Sequence, residues 1–108
     1  MKIVVVDDDR LVRETVEGIL EAYGHTIIAC CSGECAVQYL KDADAVVTDF
    51  SMGGMTGAEL AGICRSVKVP VLIMTGAIDS VPMSHSADRV IQKPFRIKEI
   101  ISWLEAVC

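Results

Sequence analysis

The residues best placed to do chemistry are three carboxylates. Asp7 and Asp8 follow the apolar run Lys2 to Val6, and Asp49 follows the run Ala45 to Thr48. If those runs are neighbouring parallel strands, all three acids converge at one sheet edge. Carboxylates gathered from separate strand ends repel one another, so such a site must bind a cation or raise a carboxyl pKa. A hard divalent ion, most simply Mg2+, answers that repulsion with oxygen ligands. Thr75 closes the apolar segment Val71 to Met74, and Lys93 follows Val90 to Gln92, which adds a hydroxyl and an ammonium. Together these groups can hold a metal, a carboxylate nucleophile and the oxygens of a transferred phosphoryl group.

Bringing them together requires strands that alternate with helices. Leu11, Thr15, Ile19 and Leu20 recur at helical spacing through Arg10 to Tyr23, and Gly24 is a natural C-terminal stop. Thr26 to Ala29 reads as a short strand. Ser32 to Leu40 reads as a helix capped by Ser32, with Ala36, Val37 and Leu40 facing inward. The strand Ala45 to Thr48 delivers Asp49 into the loop Phe50 to Thr56. Thr56 is placed to cap a helix running through Leu60 and Ile63 to about Ser66, ahead of Pro70. Ile97, Ile100, Ile101 and Leu104 mark a last helix. This alternation, without repeat or linker, implies an α/β layer fold with a parallel sheet. Ligands of such sheets sit beyond the carboxyl ends of the strands, where all these polar residues fall.

Composition is consistent with that architecture. The 108 residues are enough for one domain, expected to span 1–108, and too few for two. A hydrophobic content of 52% and a mean hydropathy of +0.45 suit strands covered on both faces. No apolar stretch approaches roughly 18 residues, so no membrane span is expected, and the early acids argue against a signal peptide. A cytoplasmic location follows. The net charge of -5 argues against a nucleic-acid surface, which needs a basic stripe. The cysteines, five in number, lack paired C-x-x-C spacing and read as reduced thiols. A metal or redox role for Cys30, Cys31 and Cys35 has no neighbouring histidine to support it.

Val5-Val6-Asp7-Asp8, Asp49-Phe50-Ser51-Met52 with Met55 and Gly57, Met74-Thr75-Gly76, and Lys93-Pro94-Phe95 resemble the receiver domain of two-component response regulators. Each motif alone is weak; together, in this order and spacing, they are specific and cover essentially the whole chain. The resemblance implies a flavodoxin-like, doubly wound five-stranded parallel sheet of order 2-1-3-4-5 with flanking helices. It implies that Asp49 is the phosphoacceptor for a histidine kinase or histidine phosphotransfer protein. Asp8 is then a direct Mg2+ ligand, Asp7 acts partly through water, and the backbone carbonyl of Ser51 completes the protein ligands. Lys93 pairs with the phosphoryl oxygens and Thr75 moves its hydroxyl to meet them. Asp9 falls on a variable family position and is expected to cap the first helix. His25 and His85 match no motif, and Trp103 reads as packing.

Departures from the family pattern bear on output. Gly53-Gly54 stands where proline is common, so this loop is expected to be mobile and to order on phosphorylation or metal binding. Val90 stands where many receivers carry an aromatic coupled to the threonine. The segment from Thr75 to Lys93 is short and contains Pro82, so the helix expected between the fourth and fifth strands should be short, irregular or absent. The chain ends close to its last helix, so it is expected to be either a stand-alone regulator that contacts a downstream effector protein or the front of a longer protein with a fused output domain. Two other functional classes compete. A pseudo-receiver would keep the fold as a constitutive protein-binding module. A Mg2+-dependent phosphatase would need a second aspartate two residues after the nucleophile, where Ser51 stands. Turnover catalysis is therefore not expected.

Overall fold

A computed structural model describes residues 1–82 and 85–107. Strands β1 (Lys2–Val6), β2 (Thr26–Cys30), β3 (Ala45–Asp49), β4 (Val71–Thr75) and β5 (Arg89–Gln92) form one parallel sheet of order 2-1-3-4-5. Between and after them lie helices α1 (Arg10–Ala22), α2 (Gly33–Val37), α3 (Gly57–Ser66) and α4 (Ile97–Val107), with 3-10 turns at Leu40–Asp42 and Ile78–Ser80. The crossover from β1 through α1 runs out to β2 and the next returns past β1 to β3. The order therefore reverses between β1 and β3, and their carboxyl ends flank a crevice.

Alternation along the central strands divides the interior into two cores. Ile3, Val5, Val47, Leu72 and Met74 face α1 and α4, where Val16, Leu20, Ile100, Trp103 and Leu104 cover them. Val4, Val6, Val46, Val71 and Ile73 face the other way, under Ala36, Leu60, Ala61 and Cys64 of α2 and α3. Because both faces are covered, β3 and β4 are buried at every position. Trp103 is thus a core residue.

Local chemistry sets the helix ends. Asp9 accepts from the amides of Leu11 and Val12, Ser32 from that of Cys35, and Thr56 forms a reciprocal capping box with Glu59. Gly24, just past α1, takes φ +93°, a region glycine enters without a Cβ penalty.

Three details differ from the sequence expectation. Leu11 is 75% exposed, because the inward stripe of α1 is Val12, Val16 and Leu20, one residue out of phase with a stripe started at Leu11. Helix α2 stops at Val37, which is exposed, and the chain reaches the buried Leu40 through a 3-10 turn. Asp49 lies within β3 rather than after it. Between β4 and β5 the helical structure among the described residues is the single turn Ile78–Ser80; Met83 and Ser84 lie outside them. Val90 of β5 is half-buried beside Ile73, on the face that α2 and α3 cover.

Candidate functional site

Each strand delivers its polar residue through a backbone hydrogen bond at or beyond its end. The amide of Asp7 donates to the carbonyl of Cys30 at 3.1 Å, that of Phe50 to Met74 at 2.9 Å, and that of Lys93 to Thr75 at 2.7 Å. These bonds tie the end of β1 to β2 and hold the polar ends of β3, β4 and β5 together, while the β1–β3 register, with Val6 opposite Thr48, brings Asp7 beside Asp49. One carboxylate oxygen from each of Asp7, Asp8 and Asp49 lies within 4.8 Å of the other two. Asp7 and Asp49 are buried and Asp8 is exposed, so the cluster opens to solvent on one side.

Lys93 bridges two of the acids. Its Nζ lies 3.0 Å from Asp49 Oδ1 and 3.6 Å from Asp7 Oδ2. The Lys93–Pro94 peptide is cis. Asp7 Oδ1 accepts the amide of Asp9 at 2.9 Å, whereas the buried Asp7 Oδ2 has no hydrogen-bond partner among the described residues. The ammonium attracts Oδ2 electrostatically, but 3.6 Å is too long for a hydrogen bond. A buried carboxylate oxygen left in that state is costly, and it lies among the three acids that a hard cation would join. The donor set fits Mg2+ for the same reason: oxygen ligands, anionic, from three side chains.

Protonation equilibria carry the same signature. Burial raises the Asp7 pKa above the ordinary carboxyl value; the Asp9 amide opposes this, Asp49 and Asp8 add to it, and Lys93 offsets part. Burial alone would lower the pKa of Lys93. Its hydrogen bond to Asp49 and the charges of Asp49 and Asp7 outweigh that, and the net shift is upward.

Thr75 is buried, and its Oγ1 accepts the amide of Ala77 at 3.0 Å, which leaves the hydroxyl proton for another acceptor. Ser51, exposed, joins Asp49, Thr75 and Lys93 in lining an open cleft of about 340 Å³. A larger cleft of about 450 Å³ lies at the opposite end of the sheet, beside Arg65, Lys68 and Asp88. Among the described residues, the acids at metal-holding distance are Asp7, Asp8 and Asp49, and of these Asp49 lines the smaller cleft. Gly57 closes the loop after Asp49: a Cβ there would stand 2.5 Å from the Asp49 carbonyl oxygen, and its amide donates to Phe50 at 2.8 Å.

All six residues expected at the site, Asp7, Asp8, Asp49, Ser51, Thr75 and Lys93, lie at this end of the sheet. Among the described residues, the cluster at metal-holding distance is the three aspartates; Cys30, Cys31 and Cys35 make no such group. Cys30 and Cys64 are free thiols that burial pushes up to about 12, which makes them poor nucleophiles. Arg13 carries no motif signal, yet its Nη1 donates to the Asp7 carbonyl at 2.8 Å. Its position one turn into α1 is the one sequence cue that could have found it. Glu34 also reaches the loop, through the amide of Met55.

Residues 3–105 match the response regulator receiver domain family. The chain is 35% identical to the response regulator FleR of Pseudomonas aeruginosa over 93% of its own length and 23% of that protein. It is 33% identical to the heme response regulator HssR of Staphylococcus haemolyticus over 99% of its length and 51% of that protein. The chain thus spans about half or less of these relatives. The response regulator TrrA of Thermotoga maritima, solved in complex with Mg2+ and BeF, superposes with a TM-score of 0.89 at 26% identity, covering 99% of this chain and 98% of that one. Vibrio cholerae CheY4, at 24% identity and TM-score 0.85, shares the fold over 99% of this chain and 98% of its own. With the family match running through both aspartate-bearing strand ends and on past Lys93, the chain belongs to the response regulator receiver domains of two-component systems.

Proposed function

We propose that residues 1–108 form a phosphorylatable receiver, in which Asp49 accepts a phosphoryl group from a histidine kinase or histidine phosphotransfer protein. The observation that carries this reading is the approach of Lys93 Nζ to within 3.0 Å of Asp49 beside two further acids, one with an unpartnered buried oxygen. An Asp49 carboxylate oxygen attacks the phosphorus, the bond from phosphorus to the histidine nitrogen breaks, and an acyl phosphate forms. Mg2+ held by Asp7, Asp8, Asp49 and the Ser51 carbonyl would supply screening between the anionic donor and nucleophile. Lys93 leaves Asp49 Oδ1 for a phosphoryl oxygen. Thr75 donates its free hydroxyl proton to another. The new contacts shift a two-state equilibrium that a downstream effector or a fused output domain reads, in the cytoplasm.

Lys93 also borders an apolar groove between α1 and the segment Pro94 to Ile97, with Leu11 exposed at its edge. A protein phosphodonor seated in that groove brings its phosphohistidine to the acids. The half-buried Val90 and, among the described residues between β4 and β5, the single turn at Ile78–Ser80 favour one competing reading, a pseudo-receiver that binds partners without phosphorylation. Incubation with an acyl phosphate and Mg2+ separates the two. We expect the intact mass to rise by one phosphoryl group, and the rise to vanish in Asp49→Asn and with chelator. No modification of the wild type, where a control receiver is modified, would leave the pseudo-receiver.

A further inference from the structure

The loop from Asp49 to Gly57 must hold its shape with little local help. Gly53 and Gly54 remove side-chain restraint, and Gly54 takes φ +124°. The base of the loop is closed by the bond from the Gly57 amide to Phe50. Its tip is fastened from outside, by the first turn of α2. Glu34 Oε2 lies 3.3 Å from the Met55 amide, and it stands 2.9 Å from where a Cβ on Gly54 would be. Beside it the Met55 side chain lies over Gly33, where a Cβ would meet Sδ at 2.8 Å. Two glycines thus lack a side chain where α2 and the loop meet most closely. Ser51 sits between the two fastened points.

We propose that Glu34 is a positioning residue for phosphoryl transfer: its carboxylate clasps the loop at Gly54 and Met55, and so holds the Ser51 carbonyl and Asp49 in register. This rests on the phosphoacceptor reading of Asp49. A carboxylate that accepts a backbone amide does the work a rigid loop residue would otherwise do, and it couples α2 to the site. Glu34 lies outside the three acids at metal-holding distance. Its effect passes through the backbone it holds.

Glu34→Ala and Glu34→Gln test this, since glutamine keeps an acceptor oxygen. Three quantities are read: amide hydrogen exchange at Met55, apparent Mg2+ affinity from melting-temperature titrations, and the rate of phosphorylation by an acyl phosphate. In Glu34→Ala we expect Met55 exchange to speed up about ten-fold, and Mg2+ affinity and rate to fall about three- to ten-fold, with β3 amides unchanged. Glu34→Gln should stay within about two-fold of the wild type in all three. Unchanged Met55 exchange in Glu34→Ala, or faster exchange with unaltered Mg2+ affinity and rate, would overturn the positioning role and leave Asp49's role standing. Equal damage from glutamine and alanine would also overturn it, by pointing to charge rather than to the clasp. A wild type that takes neither Mg2+ nor phosphoryl would instead sink the phosphoacceptor reading, and this role with it.

Discussion

Asp7 carries the site's cost at the scale of single residues. Its folded pKa lies above the unfolded value, so the folded state holds the extra proton. Stability must then fall as pH rises from the ordinary carboxyl value through the raised one, and stay low above it. Asp7→Asn abolishes that window, so the difference between wild-type and variant melting curves should appear only on the alkaline side of it. A pH-independent difference would contradict the assignment. Mg2+ binds the ionised acids and should raise the wild-type melting temperature at neutral pH. Asp8→Asn should weaken that rise, and an unaltered metal response would remove Asp8 from the ligand set. Lys93 runs the other way: its raised pKa gives stability that is complete below its unfolded value and is lost as pH rises through the folded one. Because Lys93 is partly exposed, Lys93→Ala should cost only about 1–2 kcal/mol in metal-free buffer by chemical denaturation, less than a fully buried pair would.

At the scale of elements, the loop after β3 depends on close approach. Gly57→Ala forces a methyl onto the Asp49 carbonyl and Phe50 Cα, so it should destabilise by about 1–3 kcal/mol and slow phosphorylation as well. Normal phosphorylation by a stable Gly57→Ala protein would show that loop closure does not govern Asp49. Thr56→Ala, which removes the capping box of α3, should cost about 1 kcal/mol in urea melts while leaving the acids in place. These elements were readable because short-range chemistry specifies them. Asp9, Ser32 and Thr56 each precede a helix, and strands buried on both faces read as unbroken apolar runs. Leu11 shows where periodicity fails. An apolar residue next to a true helical stripe counts toward the pattern, and only its placement beside Phe95 and Ile97 tells that it faces a groove.

Across the whole molecule, the acids could be assembled on paper because their strands run parallel and end together. The bond of Glu34 could not, since it joins a side chain to backbone 21 residues away and leaves no local pattern, and that of Arg13 left only its place one turn into α1. Leu11→Asp tests how the molecule meets its donor. We expect unchanged labelling by an acyl phosphate, but at least about ten-fold slower labelling by a phosphorylated histidine phosphotransfer protein that labels the wild type. Equal loss with both donors would place Leu11 in the fold rather than the interface. Beneath all of this lies a single gathering of charge, and paramagnetic Mn2+ in place of Mg2+ reports on it directly by NMR. Titration should broaden the amide signals of Asp8, Asp49 and Ser51 first and together, saturably, and Asp49→Asn should weaken the effect. Broadening centred elsewhere, or none that saturates, would contradict the site.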